Sequence, residues 1–411
     1  NYLSMRAVFI NQCHPDMPHV CALRLTRFAE GLARSGHRVV LVVEAYPEDL
    51  KVPKVEELEN NLAQHNWLRP FILPCRAQGS QKARRAREGK GSAISRSATI
   101  LKSFLVDGGM FPDWQTGAEV YFDTLSRVFL PDVIWATFGN TDSWVLAQKL
   151  SRLSNCPWVA DFKDNWGAFL PYGLKALMAN RFRDAAHMTV LSETQLHDAN
   201  RWFRGQKTVL YSGVEPVSQP SLSSGFRILL TGSIYNTEHL VELVMGLRNW
   251  LKISQVKGVE FCYAGNEGPV VERISGLLKD FCHRQFLGFM PSDSLAKIQS
   301  SVAVNMYVYR GSGFFHHKSL ELIAAGPPIL SYPGESPEIR RLASSTGCKL
   351  FACESQEQVV DAMNTVASDK YCSNERSFPS QFTWKSRAKA LEELLRYTGG
   401  ENLSEGLRVC S

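Results

Sequence analysis

The stretch Gly311-Ser-Gly-Phe-Phe-His-His-Lys-Ser-Leu-Glu-Leu-Ile-Ala-Ala-Gly-Pro-Pro-Ile-Leu330 carries the most information about the fold. It follows an apolar run, residues 302–308, that is typical of a buried strand, and it predicts a helix that begins near His317. Glycines in the turn let the backbone approach a ligand closely. The helix N-terminus offers N–H groups and a positive dipole to an anion such as a diphosphate. The alternative is a turn with a purely structural role.

Apolar strand patterns and amphipathic helix patterns alternate on both sides of this stretch. Strands are predicted over residues 6–11, 39–43, 132–136, 157–161, 186–191, 208–211, 226–231, 259–264, 285–287, 302–308, 328–331 and 349–352. The first predicted helix, residues 22–35, places Leu25, Phe28, Ala29 and Leu32 on one face. This alternation predicts an α/β fold of doubly wound parallel sheets.

A run rich in Gly, Ser and Pro, residues 212–225, predicts a linker between two such domains. We expect an N-terminal Rossmann-like domain over 1–215 and a C-terminal one over 216–383. A last helix over 384–397 is expected to cross back to the N-terminal domain, and 398–411 is expected to be a polar tail. Ligands of open α/β sheets bind at the carboxyl ends of the strands, which predicts a central cleft lined by the loops there.

The composition is that of a globular protein, with 44% hydrophobic and 21% charged residues among 411. No apolar run approaches the length of a membrane-spanning helix, and the first residues lack the pattern of a signal peptide. The ten cysteines contain no C-x-x-C pair, so we expect mainly buried, reduced thiols and a cytoplasmic protein.

The positive charge is concentrated in one segment. Residues 76–102 hold eight cations and a single carboxylate, Glu88, so this segment has a net charge of +7. Because the whole chain has a net charge of +6, the remaining residues have a net charge of −1. The cations Arg84, Arg85, Arg87 and Lys90 are expected to be exposed. Because apolar residues follow as far as Leu105, residues 76–105 predict a contact with an anionic membrane surface. A solvated loop is the alternative, and nucleic acid is disfavoured because the patch lacks interleaved aromatic residues.

Several motifs, taken in order, resemble the retaining glycosyltransferases of family 4, in the branch that builds bacterial surface polysaccharides and O-antigens. Glu321 with Ala324, Gly326 and Pro328 resembles the second half of their donor-binding signature, and Lys318-Ser-Leu-Glu321 resembles that branch's variant. Asp161-Phe-Lys-Asp-Asn-Trp166 is similar to the branch's Asp-x-Arg-Asp-x-Trp. The resemblance covers residues 6–397. It implies the GT-B fold, with an acceptor-side domain followed by a nucleotide-sugar donor domain.

The resemblance implies transfer of a sugar, with retention, from a UDP- or GDP-sugar to a hydroxyl of a glycan or lipid-linked acceptor. Lys318 would meet the donor diphosphate and Glu321 the ribose; a surface ion pair between these two is the alternative. The other donor-binding candidates are Gly232, Ser233, Gly288, Phe289, Gly313, Phe314 and Phe315. The catalytic candidates are Asp161, Lys163 and Asp164, where the alternative for each Asp is a helix cap. His14 and Asn140 are the acceptor-side candidates.

No metal or cofactor is expected beyond the nucleotide sugar as co-substrate. The sequence contains no Asp-x-Asp, and His316 and His317 have no apparent third ligand. Attachment, if any, is expected to be peripheral, at the inner face of the membrane.

Two departures from the family pattern keep other functions open. Gly313 stands where the signature has its first Glu, and the loop over 232–237 has no cation where many members hold the donor phosphates. A GT-B sugar-nucleotide epimerase and an inverting transferase are alternatives of the same class. A non-catalytic protein that binds sugar nucleotides or scaffolds a partner is the alternative of a different class.

Overall fold

The computed structural model describes residues 4–17, 20–79, 81–215, 225–311, 315–368 and 380–408. The chain divides into two compact units. Unit 1 comprises Asn1–Gly213 with Trp384–Ser411, and unit 2 comprises Val214–Thr383.

Unit 1 is built on a seven-stranded parallel sheet in the order β3-β2-β1-β4-β5-β6-β7. Its strands are β1 (Arg6–Ile10), β2 (Arg38–Glu44), β3 (Phe71–Cys75), β4 (Val133–Thr137), β5 (Trp158–Phe162), β6 (His187–Val190) and β7 (Lys207–Val209). Its helices are α1 (Val20–Arg34), α2 (Val55–Gln64), α3 (Gln81–Arg87), α4 (Ala93–Val106), α5 (Pro112–Glu119), α6 (Phe122–Thr124), α7 (Asp142–Ser154), α8 (Lys175–Arg181) and α9 (Glu193–Trp202).

Both faces of this sheet are covered, which explains why its central strands are mostly apolar, although β5 carries Asp161. Val8 and Ile10 of β1 enter one core, while Ala7 and Phe9 enter the core on the other face. The predicted apolar face of α1 is confirmed, because Leu25, Phe28, Ala29 and Leu32 are all fully buried against the second core.

Unit 2 has a six-stranded parallel sheet in the order β10-β9-β8-β11-β12-β13. Its strands are β8 (Arg227–Thr231), β9 (Glu260–Ala264), β10 (His283–Gly288), β11 (Val304–Val308), β12 (Ile329–Tyr332) and β13 (Leu350–Ala352). Its helices are α10 (Thr237–Ile253), α11 (Gly268–Ile274), α12 (Ser292–Gln299), α13 (His317–Ala325), α14 (Pro337–Ser345) and α15 (Gln356–Ser368).

The last helix, α16 (Trp384–Arg408), packs on α1 in unit 1. The two helices approach closely at Gly31, where an added Cβ would lie 2.3 Å from the Cβ of Ala388. Trp384, Leu391 and Leu395 of α16 are buried in the same core as Phe28. The apolar residues that follow unit 2 in sequence therefore complete the core of unit 1.

The predicted fold class, two doubly wound parallel α/β domains, is confirmed. The elements between β2 and β4 were not predicted from the sequence. The basic segment, for which a solvated loop was the alternative, forms α3 and α4.

Candidate functional site

The carboxyl end of β8 in unit 2 is occupied by a lysine from another element. The Lys318 Nζ atom, from the first turn of α13, lies 3.3 Å from the backbone oxygen of Thr231. The next residue, Gly232, has a φ of +87°, and a Cβ there would lie 2.5 Å from Lys318 Nζ. A side chain here would be strained by the positive φ and would displace the end of Lys318, so glycine suits this position.

Lys318 is a buried cation that has no carboxylate in direct contact among the described residues, although Glu321, Glu267 and Glu335 lie close enough to act on its charge. Burial lowers the pKa of Lys318 to about 8. Within the residues that the structure describes, no carboxylate forms an ion pair with it, and its Nζ atom lies 5.3 Å from the ring centroid of Tyr307. The Lys318 ammonium therefore lies beside the Gly232 turn and close to the N-terminus of α13, a combination that is suited to bind an anionic ligand.

The Lys318 ammonium packs over Tyr307, whose side chain belongs to a network of buried hydrogen bonds. The hydroxyl of Tyr307 in β11 donates a hydrogen bond to Glu335 and accepts one from Ser319, at 3.1 Å. The Ser336 N–H donates to Glu335 Oε1 at 2.6 Å, and burial raises the pKa of Glu335. These bonds hold the Tyr307 ring in place under the ammonium group.

A second cation at this edge was not singled out from the sequence. Arg310, one residue before the quoted stretch, is exposed, and its guanidinium lies 4.9 Å from the ring centroid of Tyr235. The same tyrosine ring lies 5.7 Å from the ring of His316. Burial and the charges of Lys318 and Arg310 lower the pKa of His316 to about 4, so His316 is neutral at pH 7. The position of Arg310 directly after the apolar strand was the signal that could have identified it.

Glu321 does not pair with Lys318, which was the alternative considered for both residues. Its Oε1 atom lies 3.6 Å from His317 Nε2, and its side chain is about one-third exposed, at 36%. Glu321 is therefore accessible one turn along α13 from Lys318. Phe315 is half-buried just before α13, whereas the predicted residues Gly313 and Phe314 lie outside the described residues.

The remaining donor-side candidates also lie at the carboxyl ends of strands. Ser233 is half-buried after β8. Gly288 ends β10 with a φ of +67°, and its oxygen accepts a hydrogen bond from the Gly265 N–H at 3.0 Å. Phe289 follows with 69% of its surface exposed. An exposed aromatic ring at this edge offers a flat apolar surface.

In unit 1, Asp161 lies at the centre of a buried ion pair. Arg24 donates to both of its oxygens, at 3.0 and 2.8 Å, and the side chains are 1% and 0% exposed. Thr189 donates a third bond to Asp161, at 2.7 Å. The expectation that Asp161 meets a substrate directly does not fit this environment, because both carboxylate oxygens are occupied and neither reaches solvent. Asp161 instead anchors α1 to β5.

Lys163 and Asp164 lie next to each other after β5, together with a cysteine. Lys163 Nζ is 2.7 Å from Cys21 Sγ and 3.9 Å from Asp164 Oδ2. The Lys163 side chain is only 5% exposed, whereas that of Asp164 is 34% exposed. Of the three predicted catalytic residues, Asp164 is therefore the most accessible to a ligand.

The acceptor-side candidates lie at the carboxyl ends of β1 and β4. Asn140 Nδ2 donates to Gln12 Oε1 at 2.7 Å, and Gln12 Nε2 donates to Glu44 Oε2 at 2.9 Å. His14 is buried, its Nδ1 accepts from the Asp16 N–H at 3.1 Å, and burial lowers its pKa. Both candidates are close to the sheet edge, but each is held by neighbouring protein groups.

Sequence comparison finds no matching family model and no matching curated relative. Solved structures do match. A glycosyltransferase from Rickettsia africae ESF-5 has a TM-score of 0.60 at 12% identity, over 97% of this chain and 99% of that one. HepE from Anabaena, crystallised with UDP-glucose, has a TM-score of 0.58 at 14% identity, over 98% and 100%. The fold is that of GT-B glycosyltransferases.

This GT-B fold is also shared with an enzyme class other than the transferases. A structure described as a putative UDP-N-acetylglucosamine 2-epimerase from Listeria monocytogenes has a TM-score of 0.57 at 10% identity, over 97% of this chain and 98% of that one. At these identities the likeness concerns the fold, so the chemistry must be argued from the residues.

Several cations of the basic segment, residues 76–102, form ion pairs, which the sequence did not predict. Arg87 bonds Asp113 at 2.7 Å and has a side chain only 14% exposed, so the expectation that it is exposed was wrong. Arg84 pairs with Glu48 and Glu88, at 2.9 and 3.1 Å. Glu48 and Asp113, which the local charge count did not include, pair with two of the eight cations of this segment.

The described residues lack two features that bear on membrane and metal binding. None of their helices is both long and apolar enough to cross a membrane. Among the same residues, no group of three or more His, Cys, Asp or Glu side chains is placed to hold a metal ion.

Proposed function

We propose that this protein is a glycosyltransferase that binds a nucleotide diphosphate sugar at the carboxyl edge of the unit 2 sheet. The observation that carries the proposal is the Lys318 ammonium, which lies without a carboxylate partner among the described residues, 3.3 Å from the end of β8. The fold shared with solved glycosyltransferases supports it. HepE was crystallised with UDP-glucose, which makes UDP the first nucleotide to test.

In this proposal Lys318 and the N–H groups at the start of α13 bind the diphosphate. The 232–237 loop has no cation of its own, but Lys318 places one against Gly232. Arg310 adds a second positive charge at the same edge. Glu321 accepts the ribose hydroxyls, and Gly288 with Phe289 lies beside the base.

The transfer step requires stabilisation of charge more than covalent chemistry by the protein. As the sugar–phosphate bond breaks, negative charge grows on the leaving diphosphate, and a fixed ammonium stabilises it. Asp164 and Lys163 serve the acceptor side, which is a glycan or a lipid-linked hydroxyl. Retention follows the family that the sequence resembles, in which the donor phosphate itself can take the acceptor's proton.

A proton NMR assay of product tests the proposal. Wild-type protein is incubated with UDP- and GDP-sugars and hydroxyl acceptors, and the anomeric signal of the product is recorded. A product with the same anomeric configuration as the donor supports a retaining transferase. A product with the opposite anomeric configuration would show that the enzyme is an inverting transferase. Binding of nucleotide without any turnover would favour a non-catalytic binder.

The second candidate is a sugar-nucleotide epimerase, which is supported by the Listeria structure with its TM-score of 0.57. In the same assay an epimerase changes the configuration of the sugar with no acceptor present. A sugar nucleotide with altered ring stereochemistry, formed without an acceptor, would therefore contradict the transferase proposal and support the epimerase.

Replacement of Glu321 tests the assignment of the ribose site. Glu321→Ala should weaken UDP or GDP binding about tenfold or more, because ribose hydroxyls lose their acceptor at a cost of about 1–3 kcal/mol. Wild-type protein should prefer the ribonucleotide over its 2′-deoxy form, and the variant should not. Glu272→Ala, at an exposed position in α11, is the matched control. Unchanged affinity in Glu321→Ala would remove Glu321 from the site.

Metal independence is proposed because Lys318 and backbone N–H groups supply positive charge. UDP affinity measured by calorimetry should be the same in EDTA as in Mg²⁺ or Mn²⁺, since no metal has to bridge the phosphates. Loss of binding in EDTA, restored by Mn²⁺, would show that a metal carries the diphosphate charge.

We also propose that α4 contacts an anionic membrane surface. Ile94, Leu101 and Leu105 lie on one helical face and are 84%, 40% and 50% exposed. Exposed cations lie nearby on α3 and α4, namely Lys82, Arg85 and Lys102. An exposed apolar stripe with adjacent cations is typical of a helix that lies in a membrane interface.

Vesicle sedimentation tests the membrane proposal. The protein should bind phosphatidylglycerol vesicles at low salt, and added salt should release it. Ile94→Ser with Leu101→Ser should abolish binding, whereas Ile253→Ser, at a 61% exposed position in unit 2, should not. Equal binding to neutral phosphatidylcholine vesicles, or none to either, would contradict the proposal.

A further inference from the structure

Two cysteines and a lysine form a compact cluster at the carboxyl edge of the unit 1 sheet. Lys163 Nζ, after β5, lies 2.7 Å from the sulfur of Cys21 in the first turn of α1. Cys13, after β1, is within hydrogen-bonding distance of Cys21. Cys21 is 1% exposed, whereas Cys13 is half-buried. Asp164 Oδ2 lies 3.7 Å from the Cys21 sulfur and adds a carboxylate at the border of the cluster.

The surroundings give the two thiols different chemical characters. The adjacent ammonium group and the N-terminal turn of a 15-residue helix favour a thiolate at Cys21, whereas burial and the nearby Asp164 carboxylate favour the thiol. A hydrogen bond to Cys21, burial and the negative charge of Cys21 raise the pKa of Cys13, so Cys13 keeps its proton. A thiolate with a neighbouring thiol is the arrangement from which a disulfide forms.

Other described cysteines have the opposite environment. Burial raises the pKa of Cys156 and of Cys353 to about 12, and that of Cys262 to about 11. Among the described residues, no neighbouring cation favours the thiolate of Cys156 or Cys353, and these two thiols react slowly because the thiolate is the nucleophile. The cluster therefore adds a reactive pair to the mainly buried, reduced thiols that the sequence predicted.

We propose that Cys13 and Cys21 are a redox modification site, and that a peroxide converts them reversibly into an intramolecular disulfide. The Cys21 thiolate attacks hydrogen peroxide, which forms a sulfenic acid, and the hydroxide that leaves takes a proton from Lys163 to become water. The Cys13 sulfur then attacks the sulfenic sulfur, its proton leaves with the hydroxyl group as a second water, and the S–S bond forms. Lys163 regains its proton from solvent. This inference does not depend on the proposed function.

The sequence provides a direct readout of this disulfide. Both cysteines fall in one tryptic peptide, residues 7–24, because no Lys or Arg lies between Arg6 and Arg24. After treatment of the full-length protein with hydrogen peroxide and alkylation of remaining thiols, this peptide should be lighter by two hydrogens and carry no alkyl group. Dithiothreitol before alkylation should restore two alkylated sites. Met17 in the same peptide can add one oxygen, which the alkylation count distinguishes.

Variants separate the pair from general oxidation. Cys13→Ser and Cys21→Ser should each leave an unoxidised or singly oxidised peptide, whereas Cys282→Ser, at a half-buried cysteine of unit 2, should form the disulfide as the wild type does. Lys163→Met should slow disulfide formation about tenfold at pH 7, and Lys163→Arg should restore the rate, because it keeps the cation.

Two results would overturn the proposal. The first is full alkylation of both cysteines after peroxide treatment. The second is a sulfenic or sulfinic acid at Cys21 that does not proceed to the disulfide. An unchanged rate in Lys163→Met, with the fold verified by circular dichroism, would remove Lys163 from the reaction.

Discussion

Replacement of Lys318 by methionine should stabilise the ligand-free protein while it weakens nucleotide diphosphate binding. A pKa of about 8, against an ordinary 10.5, indicates that burial disfavours the ammonium form. Its removal should raise the unfolding free energy of unit 2 by on the order of 1–3 kcal/mol at neutral pH. The loss of a charge-assisted contact to phosphate should weaken UDP binding by about 1.5–3 kcal/mol, or about tenfold to 150-fold.

The sign of the pH effect follows from the lowered pKa. The destabilisation is fully present below about pH 8 and is relieved as the pH rises toward 10.5, so Lys318→Met should gain most at neutral and acidic pH. Thermal unfolding and calorimetric titration measure the two effects. Lys297→Met, at an exposed lysine of α12, should change neither. A variant that is less stable and binds UDP normally would show that Lys318 has only a structural role.

Breaking the Arg24–Asp161 pair should produce the largest loss of stability. Arg24→Met leaves a fully buried carboxylate without its charge partner and removes the bonds of Arg24 to Ser212 Oγ, at 2.9 Å, and to the Leu210 oxygen, at 3.0 Å. Loss of one partner of a buried pair costs about 3–5 kcal/mol. The melting temperature of unit 1 should therefore fall by on the order of 10 °C.

An exposed pair on the same helix serves as the control. Arg34 bonds Glu30 at 2.8 Å, but their side chains are 66% and 35% exposed, so Arg34→Met should cost less than about 1 kcal/mol. The double variant Arg24→Met with Asp161→Leu should recover part of the loss, because it leaves no buried charge. Equal effects of Arg24→Met and Arg34→Met would contradict the buried role.

The parts of the fold that the sequence predicted are those in which burial follows a local period. Residues 39–43 of β2 are apolar throughout because helices cover both faces of the sheet, and this pattern is visible without the structure. The same holds for the helix face that includes Leu25 and Phe28.

The elements that were missed lack such a period. In α3 only Ala83 and Ala86 are buried, and small side chains among arginines give little apolar signal. In β3 the buried run Leu73–Cys75 includes Pro74, which is unusual in a strand. Tertiary contacts, such as the ion pair of Arg87 with Asp113, stabilise this region instead.

The sequence indicated where the candidate site residues stand along the chain, but it did not indicate their partners. The spacing of Lys318 and Glu321 correctly placed both on α13, but it suggested an ion pair that the structure does not have. Lys318 instead extends to Thr231, 87 residues away, and Arg24 reaches Asp161 across 137 residues. Contacts of this range depend on the order of strands in the sheet, which local sequence patterns do not contain.

Calorimetry of UDP and GDP binding, in two buffers with different heats of ionisation, tests the donor site most directly. At a pH slightly above 8, part of the Lys318 population is neutral, and a bound diphosphate should draw a proton onto it. We predict net proton uptake for at least one of the two nucleotides, and no uptake in Lys318→Met. Absence of proton uptake by the wild type with both nucleotides, or binding of neither, would contradict the claim that Lys318 meets the donor diphosphate.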